Sequence, residues 1–184
     1  MEPRAIPEEA YVAALAELPA MWPSRLAALL GLVRPANGPA EHRRSALEVW
    51  EQVVAGRPPL DERVVRRCQP DPAALAHAWR SAAQAVSVER RWRAYLAAGV
   101  GLRVVGGPDY PRCLADDHGA PYVLYSLGDP DVLDGPRVAI VGTRRSTPTG
   151  REIALEFGRE LAAVGVRVVS GLALGIDGAA HAGA

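Results

Sequence analysis

Apolar positions recur at helical spacing through the first half of the chain, and the period shortens to that of strands after Gly99. EEAYVAALAEL, from Glu8, and SRLAALLGLV, from Ser24, are short amphipathic stretches that predict helices. PAEHRRSALEVWEQVVAG opens on Pro39 and closes on Gly56, the asymmetry expected of a helix start and stop. DPAALAHAWRSAAQAVSVERRWRAYLAAG predicts a long helix from Asp71, a good N-cap, to Gly99. Within it Leu75, Trp79, Ala82 and Val86 share one face, whereas Val88, Trp92 and Tyr95 take up a shifted one, so a bend or break is expected near Ser87. Trp50, Trp79 and Trp92 read as core, and the arginines at 43–44, 63–67 and 90–93 as solvated helix faces. Residues 1–97 are thus expected to form an all-α N-terminal domain.

From residue 98 the pattern is α/β. LRVVG and YVLYSLG read as short strands. Arg137–Val141 is a nearly continuous apolar run, the kind buried on both faces of a parallel sheet. Thr147 can cap a helix with Pro148 at its first position. Ile153, Phe157, Leu161 and Val164 then recur at helical spacing, and Gly165 supplies a stop. VRVVS, residues 166–170, is a second strand. Strand, helix and strand in this length predict a right-handed βαβ unit in a parallel sheet. GLALGID then turns into a further helix.

Composition adds little until charge is followed along the chain. The 184 residues suit one large domain or two small ones, and 21 basic residues balance 21 acidic ones. Every basic residue is arginine, so no lysine is available for a nucleotide P-loop. Residues 109–134 carry six aspartates (Asp109, Asp116, Asp117, Asp129, Asp131, Asp134) against Arg112 alone, whereas residues 137–151 hold Arg137, Arg144, Arg145 and Arg151 and no acid. Positive charge is therefore concentrated around the turn after the first parallel strand. Cys68 and Cys113 are isolated, and His42, His77, His118 and His181 are scattered, which gives no metal-ligand spacing. With an acidic N-terminus and no apolar run long enough for a signal or membrane span, the chain fits a cytoplasmic protein with reduced thiols.

The candidate chemistry lies in two turns. In a parallel unit, ligands sit beyond the C-terminal ends of the strands. Gly142–Thr147 and Gly171–Ile176 both lie there, each leading into a helix N-terminus whose N–H groups and dipole favour anions. Arg144 and Arg145 add forked donors suited to phosphate. The first turn reads GTRRST, without the GxGxxG of dinucleotide binding, and the second strand ends in Ser170 where that signature needs an acid. Two arginines in one loop favour a polyanion with several phosphates, that is, a nucleic acid.

VAIVGTRRSTPTG and VVSGLALGIDGAAH, with YPRCL and APYVLYSLGD upstream, closely resemble the DNA-processing protein A family, DprA, also called Smf. The resemblance covers residues 99–184. It implies an extended Rossmann-like domain that binds and protects single-stranded DNA and loads the RecA recombinase in natural transformation and recombination. It also implies a homodimer when full length, no catalysis and no nucleotide cofactor. The arginine that lines the family's DNA pocket matches Arg144, after Gly142 and Thr143 and before Arg145. The family's Ser-Gly-Leu-Ala-x-Gly-Ile-Asp wall matches Ser170, Gly171, Leu172, Gly175, Ile176 and Asp177. Asp177 is expected to cap the next helix or to hold loop backbone. Gly178 stands where the family often has alanine.

Members of the family often begin with a small SAM or helix-hairpin-helix-like helical domain carrying an LPGxGP turn. Residues 18–23 read LPAMWP, with Ala20 and Trp22 in place of the glycines, so a structural or partner-docking role is expected there. The chain ends just inside a helix, and the sequence reads as a fragment or a truncated product whose parallel sheet is incomplete. The alternative readings are a nucleotide-binding or nucleoside-monophosphate-hydrolysing enzyme of the lonely-guy type, which shares an early loop of this kind, and a nucleotide-sensing module on the same scaffold.

Overall fold

The computed structural model describes residues 5–32, 43–60, 62–65, 71–115, 117 and 120–184. Cys68, His42, His118 and the expected helix start at Pro39 lie outside the described residues. The chain forms two compact units, Met1–Gly128 and Asp129–Ala184.

The first unit is built on helices α1 (Glu8–Ala16), α2 (Pro23–Leu29), α3 (Ala46–Val54), α4 (Glu62–Val65), α5 (Pro72–Gln84) and α6 (Val88–Ala97). Their starts are written locally. Ser45 Oγ accepts the Glu48 N–H at 3.5 Å, Asp71 Oδ2 that of Ala74 at 3.3 Å, and Ser87 Oγ that of Arg90 at 3.3 Å. The long helix expected from Asp71 is accordingly two helices, broken at Ser87. In α3 the buried residues Ala46, Val49, Trp50 and Val53 fall at i, i+3, i+4 and i+7. α1 departs from the expected amphipathic pattern: Ala10 and all of Val12–Leu15 are buried, because α3, α6 and the first strand all pack on it. Trp79, Leu15, Leu29 and Leu75 are the largest wholly buried side chains, each contributing about 1.5–3 kcal/mol by burial. Trp50 also lies in the core, and Trp92 packs partly buried against it.

Two strands complete this unit. β1 (Val100–Val104) pairs antiparallel with β2 (Val123–Leu127) in the register Val100↔Leu127 to Val104↔Val123, and the short helix α7 (Arg112–Ala115) lies between them in sequence. Val104 is buried in the helical core, with Leu102 and Val123 packed against it. By packing, this hairpin therefore belongs with the helices, although the sequence expects the second domain from residue 98.

The second unit opens with a 3₁₀ turn, Pro130–Leu133, and contains β3 (Arg137–Ala139), α8 (Pro148–Ala163), β4 (Arg167–Val169) and α9 (Ile176–Gly183). β3 and β4 are parallel in the register Arg137↔Arg167, Val138↔Val168, Ala139↔Val169, which is the expected βαβ unit. Thr147 caps α8 as expected, its Oγ1 accepting the Gly150 N–H at 3.1 Å ahead of Pro148. At the other end Gly165 donates to Ala162 O at 3.0 Å and Val166 to Leu161 O at 2.9 Å, a Schellman stop. α8 and α9 pack through small residues. A Cβ on Gly158 would lie 2.0 Å from the Ala180 carbonyl oxygen, so no larger residue fits that crossing.

One expectation is corrected here. β3 is exposed along its length, and Ile153, Phe157 and Val164 of the expected buried stripe on α8 are exposed as well, Phe157 by 61%. α8 buries Ala154 and Gly158 instead, and two three-residue strands are too small to cover both faces of a sheet. The molecule is thus mixed α/β, with one antiparallel and one parallel pair of strands among the described residues.

Candidate nucleic-acid interface

The two candidate turns leave the C-terminal ends of β3 and β4, which are neighbours in the parallel pair. Pairing continues one residue further, Ile140 N–H donating to Val169 O at 2.9 Å, so the turns start side by side. Asp177, in the first turn of α9, joins them. Its Oδ1 accepts the Gly142 N–H and its Oδ2 the Gly171 N–H, both at 3.0 Å, and the residue is only 4% exposed. Of the roles expected for Asp177, the structure shows the second: it holds loop backbone. Bonds from N–H to an ionised carboxylate are roughly twice as strong as neutral ones.

Glycines permit this closeness. A Cβ on Gly142 would lie 2.7 Å from Ile176 Cβ. Gly175, at φ 93°, would place one 2.3 Å from Thr143 O, and at that φ only glycine is unstrained. Thr143 accepts twice, through its carbonyl from Ile176 N–H at 3.3 Å and through Oγ1 from Arg145 N–H at 3.2 Å. Ser170 Oγ accepts the Leu172 N–H at 2.9 Å, and Leu172 sits in the left-handed region at φ 51°. Gly142, Thr143, Ser170, Gly171, Gly175 and Ile176 therefore form one tied platform.

Arginines stand on that platform. Arg144 and Arg145 are both exposed, and no protein group engages either guanidinium among the described residues. Arg151 is also exposed, and its Nη1 donates back to Ser146 O at 2.9 Å, which brings its charge to the same loop. Arg137 is not part of this group. It opens β3, about 16 Å of extended chain before Gly142, and its guanidinium donates to Leu133 O. On the second loop Leu172 and Leu174 present apolar side chains outward, Leu174 being 83% exposed.

Anion recognition by the loop amides themselves is narrower than the sequence suggests. The Gly142 and Gly171 N–H groups, which point where a phosphate would sit, are taken by Asp177. For a polyanion the loops offer the exposed guanidiniums of Arg144 and Arg145, with Arg151 beside them. Among the described residues no group of His, Cys, Asp and Glu could hold a metal ion, and no helix is long and apolar enough to cross a membrane.

The LPAMWP turn is structural at its backbone. Ala20 keeps a positive φ of 54°, the conformation a glycine would take. The Trp79 indole N–H donates to Pro19 O at 2.8 Å, and the buried Arg25 donates to Ala20 O and to Val64 O. Trp22 itself is 60% exposed and borders, with Met21, Tyr122 and Tyr125, an open apolar cleft of about 200 Å³.

Comparison with known proteins adds an independent finding. Residues 102–184 match the sequence profile of a family described as DNA recombination-mediator protein A. DNA processing protein DprA of Bacillus subtilis (strain 168) is 37% identical over 90 residues, covering 48% of this chain and 30% of that protein. Protein Smf of Synechocystis sp. (strain ATCC 27184 / PCC 6803 / Kazusa) is 44% identical over 78 residues, covering 40% of this chain and 20% of its own length. DNA processing protein DprA of Streptococcus pneumoniae (strain ATCC BAA-255 / R6) is 40% identical over 72 residues, 39% of this chain and 25% of that protein. The aligned part of the chain thus spans less than a third of each relative.

Proposed function

We propose, from the premise that residues 102–184 belong to the DNA recombination-mediator protein A family, that this protein acts in DNA processing by binding single-stranded DNA. The observation that carries the reading is the pair of unengaged guanidiniums, Arg144 and Arg145, on a platform fixed beyond the ends of two parallel strands. Guanidiniums on a rigid loop bind successive phosphates without reading sequence. The exposed Leu172 and Leu174 offer apolar surface to base faces on the adjoining loop. In this reading the bound strand is protected and passed to the RecA recombinase in the cytoplasm, during recombination and DNA uptake. The protein works as a dimer and performs no chemistry on the strand. The names DNA processing protein DprA and Smf borne by the relatives support the role in DNA processing.

Titration with an oligothymidylate of about 20 nucleotides at several salt concentrations tests it. If Arg144, Arg145 and Arg151 each neutralise one phosphate, log K should fall with log salt at a slope of about −2. Binding that ignores salt, or that prefers a mononucleotide to the oligomer, would overturn the proposal.

A further inference from the structure

We infer that Asp177 determines specificity: its carboxylate fills the position between the two loops that a lone phosphate would occupy, so that a polymer is met by the exposed arginines outside it. The inference rests on the reading of this loop pair as the DNA-binding site. Three observations carry it. The Gly142 and Gly171 N–H groups converge on one buried carboxylate, each at 3.0 Å. Backbone N–H groups in the turn between a parallel strand and the next helix are the donors with which βαβ proteins hold a nucleotide phosphate. And the space is full: a Cβ on Gly171 would already lie 3.3 Å from Asp177 Oδ2.

The consequence follows from charge. A phosphate entering between the loops would have to displace the carboxylate from both amides and then sit beside it, like charge against like in a poorly hydrated place. A strand outside the loops meets Arg144 and Arg145 first and never approaches the carboxylate. Asp177 thereby acts twice. It excludes a mononucleotide, and it locks the loop that carries Arg144 against the loop that carries Leu172. It is a positioning residue and touches no DNA.

Two variants and the parent protein test this, followed by the amide resonances of Gly142 and Gly171 during titration with inorganic phosphate, and by oligothymidylate affinity. In the parent protein phosphate should leave both amide resonances in place. Asp177→Ser frees both N–H groups and opens a carboxylate-sized gap; phosphate should then shift both resonances and raise the melting temperature. Asp177→Asn keeps the shape but can accept from only one of the two amides. Its oligothymidylate affinity should fall by about tenfold, with the salt slope unchanged because the arginines remain. A phosphate-induced shift of these amides in the parent protein would overturn the inference even if neither variant folds. So would a folded Asp177→Ser protein indifferent to phosphate, or an Asp177→Asn protein with parental DNA affinity. Failure of the parent protein to bind oligothymidylate would instead sink the proposed function, and the phosphate results on the parent and Asp177→Ser proteins would still stand on their own.

Discussion

At the scale of single residues, position along a strand separates arginines that composition groups together. Arg137, Arg144, Arg145 and Arg151 form one acid-free run in the sequence, yet Arg137 lies at the start of β3 and is spent on Leu133 O, whereas Arg144 and Arg145 stand beyond its end. Arg144→Ala should therefore cost about 1–3 kcal/mol of single-stranded DNA affinity and make the salt slope shallower by about 0.7. Arg144→Lys should restore part of the affinity only, since the forked donor geometry is lost. Arg137→Ala should leave affinity within about twofold of the parent, the ordinary scale of a surface substitution. Equal losses at 137 and 144, measured in the same fluorescence titration, would mean that general charge and not the loop carries binding. The two turns themselves were legible, because glycines between a strand pattern and a helix pattern mark such turns, and both follow a strand and lead into a helix. The tie between the turns was not. Asp177 lies thirty-five positions from Gly142, and no local pattern says which of two possible roles its carboxylate takes.

At the scale of elements, what is local was legible and what is packed was not. The Thr147–Pro148 start, the Gly165 stop and the break at Ser87 follow from caps that act within four residues, and all three are found. The partners of the β1–β2 hairpin depend on distant side chains. Family similarity begins at residue 102, inside β1, while the hairpin packs with the N-terminal helices, so likeness and compactness divide the chain at different places. The hairpin also carries a titratable contact with α6. The rings of Tyr95 and Tyr125 lie 5.9 Å apart, and Tyr95 OH donates to Glu17. Burial raises the pKa of Tyr125 above the ordinary 10.0. Burial, and then the charge of Tyr125, raise that of Tyr95 against the opposing pull of Arg91. Groups whose folded pKa is raised leave stability intact below the unfolded value, and that stability is lost as pH climbs through the folded one. Urea unfolding of the N-terminal unit should thus be constant from about pH 8 to about pH 9.5 and weaken above about pH 10, with Tyr95→Phe and Tyr125→Phe each reducing the alkaline loss. A midpoint in the double variant that falls as steeply as in the parent would assign the loss elsewhere.

At the scale of the whole molecule, charge and apolar surface act together. The formal net charge is zero at pH 7, so no long-range repulsion keeps copies apart. The second unit meanwhile shows water Val141, Ile153, Phe157, Val164, Leu172 and Leu174, with Val164 exposed by 73%. Its two strands also each have an edge unpaired among the described residues. Exposed apolar side chains in such number mark an interaction surface or an association hazard. The sequence pattern expects the apolar surface of this half to be buried in a parallel sheet that is itself incomplete. The structure puts much of it on the outward face of α8, because Gly158 draws that helix toward α9 through its small-residue side. The 184-residue protein should therefore bind a neutral apolar dye such as Nile red and show an apparent mass that rises with concentration in sedimentation at pH 7. Phe157→Arg adds charge in the middle of the exposed face without touching the Gly158 crossing, and should reduce both dye binding and self-association while helicity is kept. A parent protein that stays monomeric across the concentration range and leaves the dye dark would show that the outward face of α8 is covered in solution, and the exposed-surface argument would fall with it.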